Sequence, residues 1–263
     1  MRAKSILPIL AILGGVLVAA PALAGSVFAT MSTAPAIAAG ADKTAAIKAV
    51  ARFAPDAADT LLAQVEQGRD GGYFVVEGRG VVAHVQASTG RVATLALTDR
   101  VPQSATIGVS LADGERAALA FAERFSLDQR GVSPVVELVD HGGYSEYLVT
   151  WQPRVAGALA PDVLRVSVDP ATAEVFAFTD IARAYSVPSA PSVGEVEAKS
   201  IALAAVADTG AKVEYSDLAI SFDESGRQSL VWIVGVGSSR TGGPAALVQV
   251  DAITGQPTIA GRG

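Results

Sequence analysis

The alternation of apolar and polar residues predicts three β-hairpins at regular spacing along the chain. Each hairpin segment alternates with a period of two, reaches a short polar turn and continues as a second extended run. The segments are VVAHVQASTGRVATLAL at 81–97, VLRVSVDPATAEVFAF at 163–178 and ALVQVDAITGQPTIA at 246–260. The turn threonines Thr89, Thr172 and Thr254 are 83 and 82 residues apart. This spacing predicts one structural unit that occurs three times.

Glycine follows the turn threonine in the first and third hairpins, as Gly90 and Gly255. Glycine supplies the left-handed backbone conformation that such turns often require. Ala173 stands at this position in the middle hairpin. The middle turn is therefore expected either to differ from the other two or to carry mild strain.

A stretch with helical periodicity precedes the second and third hairpins. In DGERAALAFAERF, the residues Ala117, Phe121 and Phe125 recur at every fourth position, which predicts one apolar helix face. Two pairs with the spacing of a helix N-terminal cap precede these helices, Ser110 with Asp113 and Ser192 with Glu195. The same order of elements therefore recurs before each of these two hairpins.

Two further extended runs lie between each of these helices and its hairpin. They are 135–139 and 144–151 in the second repeat, and 213–222 and 230–236 in the third. Each repeat is predicted as one helix followed by four antiparallel strands, with the helix covering one face of the sheet. The first repeat has its helix at 44–53, but segment 56–66 is ambiguous. Propensity favours a second helix there, and the repeat pattern favours a strand before the turn GRDGG.

The run YLVTWQPRVAGALAPDVLRVSVDPATAEVFAF of the second repeat and LVQVDAITGQP of the third resemble PepSY domains and the related repeats of thermolysin-type propeptides. In that group a helix precedes antiparallel strands, and a segment like V-x-V-D-x-x-T-G-x-V closes the unit. The first repeat departs from this segment with Gln86 at the aspartate position. The resemblance implies an α+β fold of three tandem PepSY-like units, each with one helix packed on a small antiparallel sheet. Their bounds are 42–100, 108–182 and 190–261.

The first 24 residues predict a signal peptide. Arg2 and Lys4 form a basic start, an apolar stretch follows, and Ala22-Leu23-Ala24 matches a cleavage site. The mature protein would then begin at Gly25. An uncleaved anchor is the alternative, because segment 5–29 has no charge and is long enough to span a bilayer as a helix. In either case an extracytoplasmic location is expected, whether secreted, periplasmic or at the cell surface.

The remaining chain is acidic and contains no cysteine. The small, uncharged residues 25–41 predict a linker. Removal of residues 1–24 leaves 18 Lys and Arg against 26 Asp and Glu, and so a net charge of −8. Binding to nucleic acid or to an anionic membrane surface is not expected, because both require clustered basic residues. The absence of cysteine excludes disulfides, thiolate metal sites and cysteine nucleophiles.

The two histidines do not predict a catalytic or metal site. His84 alternates with the apolar residues Val81, Ala83 and Val85, so it is expected on the opposite, partly exposed strand face. His141 lies in the turn DHGG. The chain contains neither HExxH nor a G-x-S-x-G elbow. We therefore expect no catalytic residue, no metal and no cofactor, and we expect the activity to stay largely intact when either histidine is replaced by alanine.

The favoured function is that of a non-enzymatic binding or regulatory module. Its expected partner is a protein or peptide, and the resemblance implies a peptidase or a cell-envelope protein. The expected mechanism is addition of an extended segment to a sheet edge. Arg154 and Arg240 are the predicted partner contacts, in loops 153–161 and 237–244 that are expected to be dispensable for stability. The alternative is a structural spacer or a subunit of a cell-surface assembly.

Overall fold

In the computed structural model of the protein, the described residues are 42–66, 72–186, 190–206, 210–223, 226–237 and 244–262. The predicted signal peptide and linker, most of the turn GRDGG, and Arg240 lie outside these ranges. The α-helices in these ranges are α1 (Lys43–Ala51), α2 (Leu111–Arg124) and α3 (Glu195–Val206). No helix in this part of the chain has the length and apolarity needed to cross a membrane.

Strands make up most of the regular structure. They are β1 (Leu62–Glu66), β2 (Tyr73–Gly78), β3 (Val81–Gln86), β4 (Val92–Leu97), β5 (Val135–Asp140), β6 (Ser145–Trp151), β7 (Arg154–Val155), β8 (Ala158–Leu159), β9 (Val163–Val168), β10 (Val175–Ile181), β11 (Lys212–Phe222), β12 (Gln228–Gly237), β13 (Pro244–Asp251) and β14 (Pro257–Arg262). Four of these strands, apart from the short β7 and β8, follow each helix, as the sequence predicts. The ambiguous segment 56–66 contains the end of a short 3-10 turn, Pro55–Ala57, and strand β1.

The predicted fold class of three helix-on-small-sheet units is wrong, because the strands assemble into two large sheets. The larger sheet has eight strands in the order β1-β2-β3-β4-β10-β9-β6-β5. The strands of the first two repeats meet where β4 pairs antiparallel with β10, with Thr94 opposite Thr179. Without this pairing, β4 and β10 would each expose a row of unpaired backbone groups. The protein is thus mainly β-sheet.

The third repeat forms a second sheet with six strands. Its order is β14-β13-β12-β11-β8-β7, and the last two strands come from the connection between β6 and β9. The described chain accordingly divides into two compact units. The amino-terminal unit contains 42–151 and 162–181, and the carboxy-terminal unit contains 152–161 and 182–262.

The three predicted hairpin turns share one backbone hydrogen-bonding pattern. Gln86, Asp169 and Asp251 occupy the same position, and each accepts a backbone hydrogen bond from the residue four positions later. The residue donating this bond has a left-handed conformation in every turn, with φ of 71° at Gly90, 62° at Ala173 and 75° at Gly255. The middle turn therefore keeps the common geometry, and its alanine carries strain.

Each helix packs small residues against its sheet. The buried helix positions are Ala46 and Val50 in α1, Ala118 and Ala122 in α2, and Ala198 and Ala202 in α3. The buried stripe of α2 thus lies one residue from the predicted one, and Phe121 and Phe125 pack beside Phe53 instead. Gly114 also faces the sheet, where a Cβ atom would lie 2.6 Å from the Tyr147 ring. Small side chains allow this close approach.

The two predicted N-terminal caps differ in structure. Ser110 and Asp113 form a reciprocal capping box at the start of α2, as expected. Ser192 instead donates its backbone N–H to the carbonyl of Ala252, in the third hairpin turn. The carboxylate of Glu195 accepts from Lys199 at 2.5 Å and from Ser216 at 2.7 Å. The third helix therefore begins without the predicted serine–acid pair.

Candidate peptide-binding edge

Tyr147 of β6 and Trp232 of β12 occupy equivalent positions in the second and third repeats. The Tyr147 hydroxyl donates to the carbonyl of Val109 at 2.8 Å, and the Trp232 indole donates to the carbonyl of Val193 at 2.8 Å. Each acceptor lies two residues before its helix begins. Trp151 also lies in β6, but the hydrogen bonds identify Tyr147 as the equivalent of Trp232.

This equivalence extends to the outermost strand of each repeat. Leu138 of β5 lies opposite Tyr147, and Leu218 of β11 lies opposite Trp232. In the first repeat Phe74 lies opposite Val85, next to the hairpin turn, and Val65 of β1 lies opposite Phe74. In the second repeat Tyr147 likewise lies opposite Val168, and in the third Trp232 lies opposite Val250, in each case next to the hairpin turn. Val65, Leu138 and Leu218 are therefore three copies of one edge position.

The three edge positions differ in exposure. Val65 and Leu138 each keep 43% of their surface exposed, whereas Leu218 keeps 7%. Strands β1 and β5 are the two ends of the eight-stranded sheet, with no strand on their outer side in the described residues. Strand β11 has β8 on its outer side, and Leu218 packs in one apolar cluster with Ala158 of that strand. An added extended segment therefore covers one of the three edges.

The added segment is the predicted loop 153–161. Leu159 pairs with Ala219 of β11 in parallel orientation, and β7 pairs with β8 to form a small hairpin. Its residues 158–161 are buried. The loop is therefore an integral part of the carboxy-terminal sheet, and the expectation that it is dispensable for stability is not supported by this packing.

Arg154, a predicted partner contact, binds within its own unit. Its guanidinium donates to Asp217 of β11 at 2.5 Å and to the carbonyl of Gly157 at 3.0 Å. Its side chain is 49% exposed, and that of Asp217 is 23% exposed. The other predicted contact, Arg240, lies outside the described residues. Partner binding by either arginine stays a prediction.

Strand β5 presents backbone hydrogen-bonding groups at its outer side. The N–H of His141 donates to the carbonyl of Tyr144 at 2.9 Å, just beyond the last pair of the β5–β6 ladder. Because bonded and non-bonded pairs alternate in an antiparallel ladder, Val136, Leu138 and Asp140 direct their N–H and C=O groups away from β6. The strand sequence VVELVD contains neither lysine nor proline, the residues that commonly block edge pairing.

Charged side chains lie beside this edge. Burial lowers the pKa of Arg165 in β9 to about 10, while the charges of Glu137 and Glu146 act in the opposite direction. The Nε atom of Arg165 is buried without a hydrogen-bond partner. Glu146 is 8% exposed, and one carboxylate oxygen lies 2.9 Å from Nε2 of His141. His141 also stacks on Tyr144, with ring centroids 4.5 Å apart.

The two histidines lie in separate places. Nδ1 of His84 is 2.8 Å from Oγ1 of Thr94, and the ring is partly buried as predicted for this strand face. Burial lowers the pKa of His84 from its ordinary value, and the charges of Glu66 and Glu77 act against this shift. The described residues contain no group of three or more histidine and carboxylate side chains suited to hold a metal ion.

Comparison with solved structures shows weak structural similarity. No protein-family model matches the chain, and no curated protein matches it either. The solved structure of the Bacillus megaterium YpeB C-terminal domain is similar with a TM-score of 0.44 and 14% sequence identity. The match covers 84% of this chain and 98% of that chain. The PepSY-like relation inferred from the sequence stays a resemblance.

Proposed function

We propose that this protein is a non-enzymatic, extracytoplasmic binding module that captures an extended segment of a protein partner by strand addition to β5. The observation that carries the proposal is the difference between equivalent edges. An extended segment covers β11 and buries Leu218, whereas the equivalent Leu138 of β5 stays exposed. A partner segment added to β5 would cover this strand as β8 covers β11 in the carboxy-terminal unit.

The outer side of β5 provides both polar and apolar contacts for such a segment. The outward backbone groups of Val136, Leu138 and Asp140 can each pair with the added strand, at about 1 kcal/mol of net stabilisation per hydrogen bond. Val135 and Leu138 are 55% and 43% exposed, and covering them removes apolar surface from water. Four of the six residues of β5 are aliphatic, and its unpaired backbone groups are a template for pairing with another chain.

The partner class and the location rest on the sequence. The signal-peptide pattern of residues 1–24 supports an extracytoplasmic location, and the resemblance to thermolysin-type propeptides supports a peptidase or a cell-envelope protein as the partner. Regulation of the partner would follow if the captured segment were needed for its activity. No cofactor takes part in this function.

The proposal is tested by placing a photo-crosslinking amino acid at Leu138 of the exported protein. In a matched control the same amino acid replaces Val65, which has the equivalent position and the same exposure on β1. Both proteins are irradiated in the extracytoplasmic fraction of the native cells, and the crosslinked peptides are sequenced. We expect one partner segment crosslinked at Leu138 and absent from the Val65 sample.

A second pair of variants tests the energetic role of the edge. Leu138→Lys puts lysine, a residue that commonly blocks edge pairing, into the edge strand, and we expect it to reduce capture of the crosslinked partner at least tenfold. Val65→Lys should leave the capture unchanged. If Leu138→Lys captures the partner as well as the original protein does, strand addition at β5 is excluded and the spacer function is favoured.

A further inference from the structure

The covered edge of β11 shows which side chains accompany an added segment. Arg154 and Leu159 are directly opposite each other in the β7–β8 hairpin, so their side chains lie on the same face. Leu159 pairs with Ala219, and Arg154 reaches the carboxylate of Asp217, two residues earlier on the same strand. The added segment is thus held by a backbone pairing, an aliphatic contact and one arginine–carboxylate bond.

Glu137 of β5 is the structural equivalent of Asp217. Each carboxylate residue precedes its repeat's edge leucine, Leu138 or Leu218, by one position. Glu137 lies opposite Leu148 of β6, and Asp217 lies opposite Ile233 of β12. Strand β5 therefore carries a carboxylate at the position where Asp217 of the covered strand β11 binds Arg154.

The residues around Glu137 carry more charged groups than those around Asp217 do. Glu146 takes the position of Val231, and Arg165 takes the position of Leu247, as the strand pairing shows. The negative charges of Glu137 and Glu146 both favour the charged form of Arg165 and so raise its pKa. Two carboxylates near one guanidinium leave an excess of negative charge. A carboxylate has acceptor sites for more than one donor, so Glu137 can bind a second cation beside Arg165.

The first repeat lacks this feature. Gln64 of β1 lies opposite Val75, and this makes it the equivalent of Glu137 and Asp217. Its side chain is neutral, so of the two strands at the ends of the eight-stranded sheet, β5 offers a carboxylate at this position and β1 does not. The charge therefore distinguishes two edges whose exposed aliphatic residues are similar.

From these equivalences we infer that the segment captured by β5 carries an arginine or lysine whose cation binds Glu137, and an aliphatic residue that covers Val139. This inference rests on the proposed strand addition and specifies the chemistry of the partner. Val139 is the equivalent of Ala219, against which Leu159 lies. An acidic chain also attracts a basic segment over a longer distance, which increases the rate of association.

The test uses a phage library of random linear ten-residue peptides selected on the full exported protein, on Leu138→Lys and on Glu137→Lys. Peptides that depend on the β5 edge are those bound by the original protein and not by Leu138→Lys. We expect them to be enriched in arginine or lysine at one position, and we expect Glu137→Lys to select aspartate or glutamate there. Gln64→Lys is the matched control and should select the same peptides as the original protein.

The affinity of one selected peptide gives an independent measurement. Glu137→Gln preserves the shape of the side chain and should weaken binding about fivefold at low salt, with a smaller effect at high salt. Edge-dependent peptides without a basic preference, or with one that Glu137→Lys does not alter, would overturn the inference and leave strand addition standing. If no peptide depends on Leu138, strand addition itself is wrong, and the inferred chemistry with it.

Discussion

Nη2 of Arg130 lies 2.5 Å from a carboxylate oxygen of Asp180, and the two side chains are only 5% and 4% exposed. Arg91 approaches the second oxygen of the same carboxylate at 2.6 Å. Arg91 follows the first hairpin turn, Arg130 follows α2, and Asp180 is in β10. One buried carboxylate therefore binds cations from the first and the second repeat, within the sheet that the two repeats share.

We expect Asp180→Asn to lower the free energy of unfolding of the amino-terminal unit by about 3 kcal/mol. The change removes the buried counter-ion of Arg130 and leaves its guanidinium with the exposed carboxylate of Asp128, and loss of one partner of a buried ion pair is strongly destabilising. Urea denaturation followed by tryptophan fluorescence and circular dichroism measures the effect.

Asp128→Asn is the control for this change, since Asp128 binds the same arginine at 2.9 Å but is 69% exposed. It should cost less than about 1 kcal/mol, as exposed ion pairs do. Equal losses for the two variants would show that burial of the Asp180 carboxylate is not what makes its bond to Arg130 important.

The strained middle hairpin predicts a stabilising substitution. Ala173 has φ of 62°, a conformation that costs an L-residue about 1 kcal/mol and costs glycine little. Ala173→Gly should therefore raise the free energy of unfolding by up to about 1 kcal/mol. Gly255→Ala should lower it by a similar amount, because the new Cβ would have no neighbour closer than 3.4 Å and only the backbone is strained. A loss of stability in Ala173→Gly would contradict this account.

The hairpins were predictable from the sequence because their determinants are local. Alternation, the turn threonine and the following glycine lie within a few residues of one another, so the pattern specifies the turn without reference to the rest of the chain. The pairing of β4 with β10 was not predictable in this way. All the repeats have similar strands, and the pattern within a strand does not indicate which other strand it will pair with.

The covered edge was missed for a related reason. Strands β7 and β8 contain two residues each, which is too short for any periodicity, and the glycine and prolines around them are typical of a surface loop. The cluster of Arg91, Arg130 and Asp180 also leaves no local signal, because its members are separated by 39 and 50 positions. The equivalence of Asp217 and Glu137 can be recognised only from the residues that lie opposite them in the neighbouring strands.

His84 should make stability depend on pH. Its pKa is lowered by burial from 6.5, so the folded protein binds this proton less tightly than the unfolded chain does. Its contribution is therefore fully present above about pH 6.5 and is lost as the pH falls through the folded pKa. The free energy of unfolding of the original protein should fall between about pH 7.5 and pH 5.5, and in His84→Gln this fall should be smaller. An NMR titration midpoint of His84 at or above 6.5 would contradict the prediction.

The β7–β8 hairpin should stabilise the carboxy-terminal unit. Replacement of residues 154–159 by a short glycine-containing turn exposes Leu218 and removes the buried Ala158 and Leu159, and we expect a loss of about 3 kcal/mol. Arg154→Gln removes the half-exposed guanidinium that binds Asp217 and the carbonyl of Gly157, and it should cost less than about 1 kcal/mol. Thermal unfolding of the three proteins measures both effects. Unchanged stability after loss of the hairpin would show that this edge does not need a cover.

The backbone of β5 gives the most direct test of strand addition. In the protein alone, the outward N–H groups of Val136, Leu138 and Asp140 should exchange with solvent quickly. The N–H groups of Glu137 and Val139 point towards β6 and should exchange slowly.

Amide hydrogen exchange followed by NMR, with and without the captured partner, distinguishes these two sets of groups. The account predicts that the partner slows exchange at Val136, Leu138 and Asp140 at least tenfold and has no effect on the equivalent strand around Val65. If the partner binds and exchange at Val136, Leu138 and Asp140 stays fast, the partner does not pair with β5, and the central claim is wrong.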